Sequence, residues 1–294
     1  MSNKRRNRLT IAIILNVAIV VVQIIFGFIA NSIGLLADAG HNLVDVGALI
    51  LSLFAIILIQ RAPTQKRTFG FHRSGILAAQ ANAISIILIT IFISYEGIKR
   101  LITPQEVNGS LIVIVAGIGA IVNLGSAFAL KESDGGHKHD MNIRSATLHL
   151  VGDGLASLAV VITGLVIIFT GNWYWLDPAI SLTIGLFIAY HGWKLLKDAN
   201  NVLLESTPKN IDSNKLVERI LKLSGTKQIH DLHIWSISNE IHALSAHIVL
   251  EGEPTLQEAQ IIGNRIKTIL KDDFGIAHAT LEFESFECED ENCI

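Results

Sequence analysis

The sequence predicts a multi-pass α-helical membrane protein, six transmembrane helices followed by a cytosolic αββαβ domain. Three observations predict it. Of the 294 residues, 50% are hydrophobic and 17% charged, and the mean hydropathy of +0.49 is too high for an ordinary soluble domain. Apolar stretches of about 20 residues, the length a helix needs to cross about 30 Å of hydrocarbon, recur six times. Beyond about residue 205 charge and histidine rise, and no further stretch is long enough to span.

The spans fall near residues 9–30, 33–59, 76–98, 110–131, 145–170 and 176–197. Turn or charge signals separate them: Asn31-Ser32, Arg61-Ala62-Pro63, Thr103-Pro104, Asp134-Gly135-Gly136 and Gly171-Asn172. The first apolar run, Ile11 to Ile29, follows Lys4, Arg5, Arg6 and Arg8 as a secretory signal would, but it exceeds the roughly 7–15 residues of a signal core and reads as an uncleaved helix. Lys and Arg flank the ends that stay cytoplasmic. The N-terminus, the 61–73 loop (Arg61, Lys66, Arg67, Arg73), the 131–144 loop (Lys131, Lys138, Arg144) and the exit from span six (Lys194, Lys197) are basic, with Lys99 and Arg100 against the trend. Both termini therefore read as cytoplasmic in a cell membrane. Trp173, Tyr174 and Trp175 stand where an aromatic belt is expected on the outer side.

The chain so divides into a transmembrane domain, 1–204, and a cytosolic domain, 205–294. In the latter, 213–223 reads as a helix opened by Asp212 or Ser213 and closed before Gly225, and 228–237 and 241–250 read as strands. Thr255 and Glu258 form a capping-box pattern opening a helix to about Lys271. Residues 277–285 alternate, with Ala277, Ala279, Leu281 and Phe283 on one face and His278, Thr280, Glu282 and Glu284 on the other. The order predicts a small sheet with helices on one face. A net charge of −3 gives no electrostatic case for a nucleic-acid partner. The only cysteines, Cys288 and Cys293, are no disulfide framework and fit a reducing cytosolic tail.

Ionisable residues inside spans cost at least about 2.5–3.5 kcal/mol each and face a cavity or a partner. Span two holds His41 and Asp45 and span five His149 and Asp153, both as H-x-x-x-D, which puts each pair on one helix face. Two imidazoles and two carboxylates suit tetrahedral Zn²⁺ and tolerate Co²⁺ or Cd²⁺, whereas Mg²⁺ and Ca²⁺ prefer more oxygens. Two carboxylates also neutralise one dication in low dielectric, and protons are the alternative occupants. Metal and protons then compete for one site, the physical basis of antiport. The competing reading pairs each aspartate with a polar neighbour such as Asn16, Gln23 or Asn123. Counted from the outer helix ends the second pair lies several residues deeper, so tilt or unequal ends must compensate. Asp38 reads as a solvated helix-end carboxylate, with the outward mouth of the site as its alternative. Gly40, Gly47, Gly117, Gly119, Gly125, Gly152 and Gly154 read as packing positions.

The two H-x-x-x-D pairs, six spans, the αββαβ tail and the stretches ADAGHNLVD, FGFHR and HDLHIWSI together resemble the cation diffusion facilitator family, in its bacterial zinc/cobalt/cadmium efflux branch. The resemblance implies a homodimer in the lipid bilayer that exchanges cytosolic Zn²⁺ for H⁺ by alternating access. It also implies a metallochaperone-like tail that helps dimerisation and senses Zn²⁺ as a regulatory ion, and no organic cofactor. His41 resembles the zinc-preferring members, and Gly75 stands where many relatives carry an acidic residue. In the tail His230, His247, His278, Glu282 and Glu284 resemble the family's cytosolic metal-binding region, with solvated side chains as the alternative. His137 and His139 resemble a shortened His-rich loop, again against a solvated loop. Cys288 and Cys293, as C-x₄-C, are candidate soft ligands against an unstructured tail. His233 and Trp235 read as packing residues. The expected function is export of Zn²⁺, with Co²⁺ or Cd²⁺ as further cargo, in exchange for H⁺ and without enzymatic activity. A membrane-embedded metal sensor and a metallohydrolase using the same ligands are the rivals.

Overall fold

The computed structural model describes residues 3–132, 141–238 and 240–286, with side chains described from residue 16 onward except at 129–146. Six long helices come first: α1 (Asn3–Ile29), α2 (Ile33–Ile59), α3 (Ser74–Ile102), α4 (Gly109–Glu132), α5 (Met141–Thr170) and α6 (Leu176–Leu203). They are followed by α7 (Ser213–Leu221), β1 (Thr226–Ser236), β2 (His242–Leu250), α8 (Leu256–Phe274) and β3 (Ile276–Glu284). The chain forms two compact units, Met1–Leu51 with Ala81–Leu195 and Ser52–Gln80 with Leu196–Ile294. Among the described residues, α2 to α6 each contain a segment long and apolar enough to cross a membrane, and α1 contributes the apolar stretch Asn16–Ile29.

The first unit has the inverted economy of a protein in lipid. Phe92, Ile121 and Phe169 are 66%, 73% and 84% exposed, while Gln23, Asp38, Asn42, Asn123, Asp153 and Ser157 are buried. Its apolar core gathers Leu35, Ile112, Ala116, Val160 and Ile184. Close approach of α4 and α5 depends on glycine, since a Cβ on Gly109 would lie 2.9 Å from the Gly164 carbonyl oxygen and one on Gly164 3.0 Å from the Gly109 oxygen. Gly40, Gly119 and Gly154 also face close neighbours, but Gly47, Gly125 and Gly152 have nothing within 4 Å. At those three positions the described residues leave room for a side chain.

The α1–α2 turn is tightly held. Asn31 takes a left-handed conformation (φ 54°), and Ser32 caps α2 by accepting from the Leu35 amide. The buried Asp177 of α6 accepts from the Ser32 hydroxyl and from the Ile33 and Gly34 amides, placing a carboxylate on the N-terminus of α2. The Arg100 guanidinium donates to the Asn31 carbonyl from α3.

In the second unit the sheet order is β1-β2-β3, with β1 and β2 antiparallel and β2 and β3 parallel. Helix α8 makes the crossover that a parallel pair requires. Leu216, Ile220, Ile266 and Leu270 of the helices meet Leu244, Ile248 and Ile276 in one core. The alternation predicted for the last strand holds from Ala279 on, where Ala279, Leu281 and Phe283 pack against this core, but Ala277 is exposed and Ile276 is buried in its place, beside a register shift against β2. Asp212 caps α7, Thr255 and Glu258 form the predicted capping box, and Gly275 ends α8 at φ 68°. Helix α7 stops earlier than expected, at Leu221, and Gly225 (φ 94°) instead turns the chain into β1. His137, His139, Cys288 and Cys293 lie outside the described residues.

Candidate metal centre

The two H-x-x-x-D pairs meet. His41 Nε2 is 2.9 Å from Asp153 Oδ1 and 3.8 Å from Asp45 Oδ2, and His149 Nε2 is 3.4 Å from Asp45 Oδ2 and 3.7 Å from Asp153 Oδ2. A tetrahedron with bonds of about 2.0–2.1 Å has edges of about 3.4 Å, so these four separations bracket the spacing of ligands around one small dication. One donor atom each of His41, Asp45 and Asp153 lies within 4.8 Å of the others. His149 stands outside that group and approaches it through the two carboxylates, its ring edge-on to that of His41 with centroids 6.0 Å apart. Exposure rises across the set, from 8% for the Asp153 side chain to 53% for His149.

The depth mismatch resolves through unequal helix ends. The Asn108 amide donates to the Ala30 carbonyl, and Gly109 abuts Gly164, so α5 runs on to Thr170 past the level at which α2 and α4 begin. Asp153 lies 164 − 153 = 11 residues from Gly164 and His41 lies 41 − 33 = 8 from Ile33, and the same three-residue offset separates His149 from Asp45. Three residues are about 4.5 Å of helix, within the reach of tilt and side chains.

Asp38 is a correction. It is 1% exposed rather than solvated, because Ala37 and Ala39, both fully buried, let α2 pack closely on either side of it. Its carboxylate accepts from Gln23 Nε2 at 2.6 Å and from the Ser157 hydroxyl at 2.9 and 3.1 Å. Gln23 thus partners Asp38 rather than a quartet aspartate. Sequence reasoning missed Ser157 altogether; its signal was the four-residue spacing after Asp153, which repeats the helical face.

A second cluster lies on the open face of the three-stranded sheet. His230 and His247 are cross-strand neighbours with ring centroids 5.1 Å apart. Glu284 bridges them, Oε2 at 2.8 Å from His230 Nε2 and Oε1 at 2.9 Å from His247 Nδ1. Glu282 and Asp231 reach His247 Nε2 at 3.5 and 3.4 Å. His230 Nδ1 is buried without a hydrogen-bond partner. Sequence reasoning passed over Asp231, which a bulge in β1 (φ 48°) turns toward the cluster. His278 stands apart, four residues or about 13 Å along β3 from Glu282, its ring edge-on to Phe69. His233 is exposed and 3.0 Å from Asp231, a polar contact in place of the expected packing role, because the bulge shifts its register. In the 61–73 loop Arg73 pairs with Glu205 at 2.9 Å.

Six long helices carrying a convergent two-histidine, two-aspartate centre define a polytopic membrane protein with a polar, metal-compatible interior. The chain belongs to the cation efflux family: the profile of the cation efflux transmembrane domain matches residues 9–204, and that of the cation efflux protein cytoplasmic domain matches 208–286. It is 38% identical to the cadmium, cobalt and zinc/H(+)-K(+) antiporter of Bacillus velezensis, over 100% of this chain and 92% of that one. It is 35% identical to the zinc transporter ZitB of Escherichia coli, over 97% and 90%. A solved structure, the metal-bound C-terminal domain of the CzcD transporter from Cupriavidus metallidurans, is 32% identical with a TM-score of 0.23, covering 25% of this chain and 99% of that one.

Proposed function

We propose that this chain exports a divalent transition metal, Zn²⁺ ahead of Co²⁺ and Cd²⁺, from the cytoplasm in exchange for protons. The observation that carries the reading is the convergence of His41, Asp45 and Asp153 within 4.8 Å of one another, with His149 at 3.4 and 3.7 Å from the two carboxylates. The N₂O₂ donor set favours Zn²⁺ over the alkaline-earth ions. Its two carboxylates neutralise the dication, and the same atoms lie close enough to share protons when the cargo leaves. Protons entering from outside displace the metal outward, and their release inward readies the site for the next ion. The Bacillus velezensis relative, named for antiport of cadmium, cobalt and zinc, supports exchange of metal for protons.

The basic loops orient the chain with both termini in the cytoplasm. A homodimer assembled through the tail follows from the family of the cytoplasmic domain. His230, His247 and Glu284, with Glu282 and Asp231 nearby, form a second, cytosolic Zn²⁺ site that makes transport metal-responsive. Four protein donors leave no open position on a tetrahedral ion, which argues against hydrolysis.

Proteoliposomes with an imposed pH gradient test the proposal. With the lumen made acidic, Zn²⁺ should accumulate inside against its own gradient, alkalinise the lumen as protons leave, and stop when the pH gradient is collapsed. Zn²⁺ bound without translocation would leave a sensor and refute transport; translocation indifferent to pH would refute antiport.

A further inference from the structure

One turn from the metal centre lies a buried polar knot that supplies none of its ligands. Gln23 (0% exposed) on α1 donates Nε2 to Asp38 Oδ2 at 2.6 Å and accepts at Oε1 from Asn42 Nδ2 at 3.0 Å. Asp38 and Asn42 are four apart on α2, so one amide grips two successive turns of that helix. The Ser157 hydroxyl of α5, also fully buried, donates to both carboxylate oxygens of Asp38. Helix α4 closes the remaining side through Gly119, where a Cβ would lie 3.1 Å from Gln23 Nε2 and 3.6 Å from Ser157 Oγ. Four helices meet here.

The placement relative to the quartet is what matters. Asp38 precedes His41 by three residues and Asn42 follows it directly, while Ser157 follows Asp153 by four. The Asp38–Ser157 bond therefore spans α2 and α5 one turn, about 5.4 Å, from the His41–Asp153 contact that spans the same two helices. An apolar set of the same volume would fill this space without burying a carboxylate. What hydrogen bonds add is a single register, because each donor has one acceptor group within reach. The half-sites reach the centre from unequal depths, so the register of α2 on α5 decides whether four donors or two meet one ion.

We propose that Asp38, with Gln23 and Ser157, is a positioning group for the transport site: it does not touch the cargo, and it fixes the spacing and register of α2 on α5 at which His41, Asp45, His149 and Asp153 meet one ion. The proposal rests on the quartet being that site.

The test uses the full-length chain carrying His230→Ala and His247→Ala, so that binding reports the membrane centre, with Zn²⁺ affinity measured per folded protein in detergent and half-saturation and maximal rate in proteoliposomes. Asp38→Ala and Ser157→Ala should each weaken Zn²⁺ binding about 10–100-fold, as loss of groups behind metal ligands does. Half-saturation should rise more than maximal rate falls. Asp38→Asn, whose amide oxygen still accepts from Ser157 and Gln23, should restore most of the affinity, a rescue that a bulk folding defect would not produce. If Asp38→Ala does not fold, Ser157→Ala, which removes one hydroxyl, carries the same test. Parental affinity in the folded Asp38→Ala and Ser157→Ala proteins, with Asp153→Ala binding abolished, overturns the positioning role alone. Unchanged binding in Asp153→Ala overturns the site and the positioning role together.

Discussion

Replacing Asp177 with alanine should uncouple the start of α2 from α6. The carboxylate is fully buried and accepts from Ser32 Oγ at 2.5 Å, the Ile33 amide at 2.7 Å and the Gly34 amide at 3.2 Å. Alanine leaves two amides and a hydroxyl of the first helical turn without their acceptor. At about 1–3 kcal/mol for each buried donor left unpaired, reduced by partial relaxation, the loss is about 3–5 kcal/mol. For a unit of this size that corresponds to a fall in Tm of about 10 °C or more. Tryptophan fluorescence is a suitable probe in a detergent melt, since Trp173 and Trp175 lie just before α6 with ring centroids 6.2 Å apart. Asp177→Asn keeps one carbonyl acceptor and should lose roughly half as much. An Asp177→Ala melt that coincides with the parent would refute the idea that this carboxylate holds the turn.

Gly164→Ala should cost about 1–3 kcal/mol in the same melt, because the new methyl meets the Gly109 carbonyl oxygen, which belongs to the backbone and cannot turn away; a neutral result would mean α4 and α5 part freely. His247→Ala should remove one bound Zn²⁺ per chain in equilibrium dialysis, since His247 touches Glu282, Glu284 and Asp231 at once, and an unchanged stoichiometry would rule out a site there. Burial holds the His242 pKa below its usual value, and its Nδ1 lies 3.1 Å from the Ser236 hydroxyl. Its contribution to stability is therefore present above the unfolded value of about 6.5 and is lost as pH falls toward the lower folded value. Protection factors of the β1 and β2 amides, which remove the pH dependence of intrinsic exchange, should fall across that interval and should not do so in His242→Gln.

The quartet was legible because ionisable groups in apolar runs are rare and their four-residue spacing repeats in two spans. Its depth was not legible, because the Gly109–Gly164 contact that sets the level of α5 against α4 leaves no mark in hydropathy. Asp38 misled for a related reason. Near a helix start a carboxylate reads as solvated, and only packing shows the buried Gln23 and Ser157 that receive it. Strand alternation and the Thr255–Glu258 box fixed most of the cytoplasmic fold, since both signals are local. The bulge that brings Asp231 to His247 is a backbone event, and nothing in side-chain periodicity announces it.

The most direct test of the quartet is X-ray absorption at the zinc K edge on the full-length chain with His230→Ala and His247→Ala. The spectrum should show one Zn²⁺ with four nitrogen or oxygen neighbours at about 2.0 Å, two of them imidazole, and that ion should be lost in Asp45→Ala and Asp153→Ala. A six-coordinate shell, or the same spectrum after removal of both carboxylates, would contradict it.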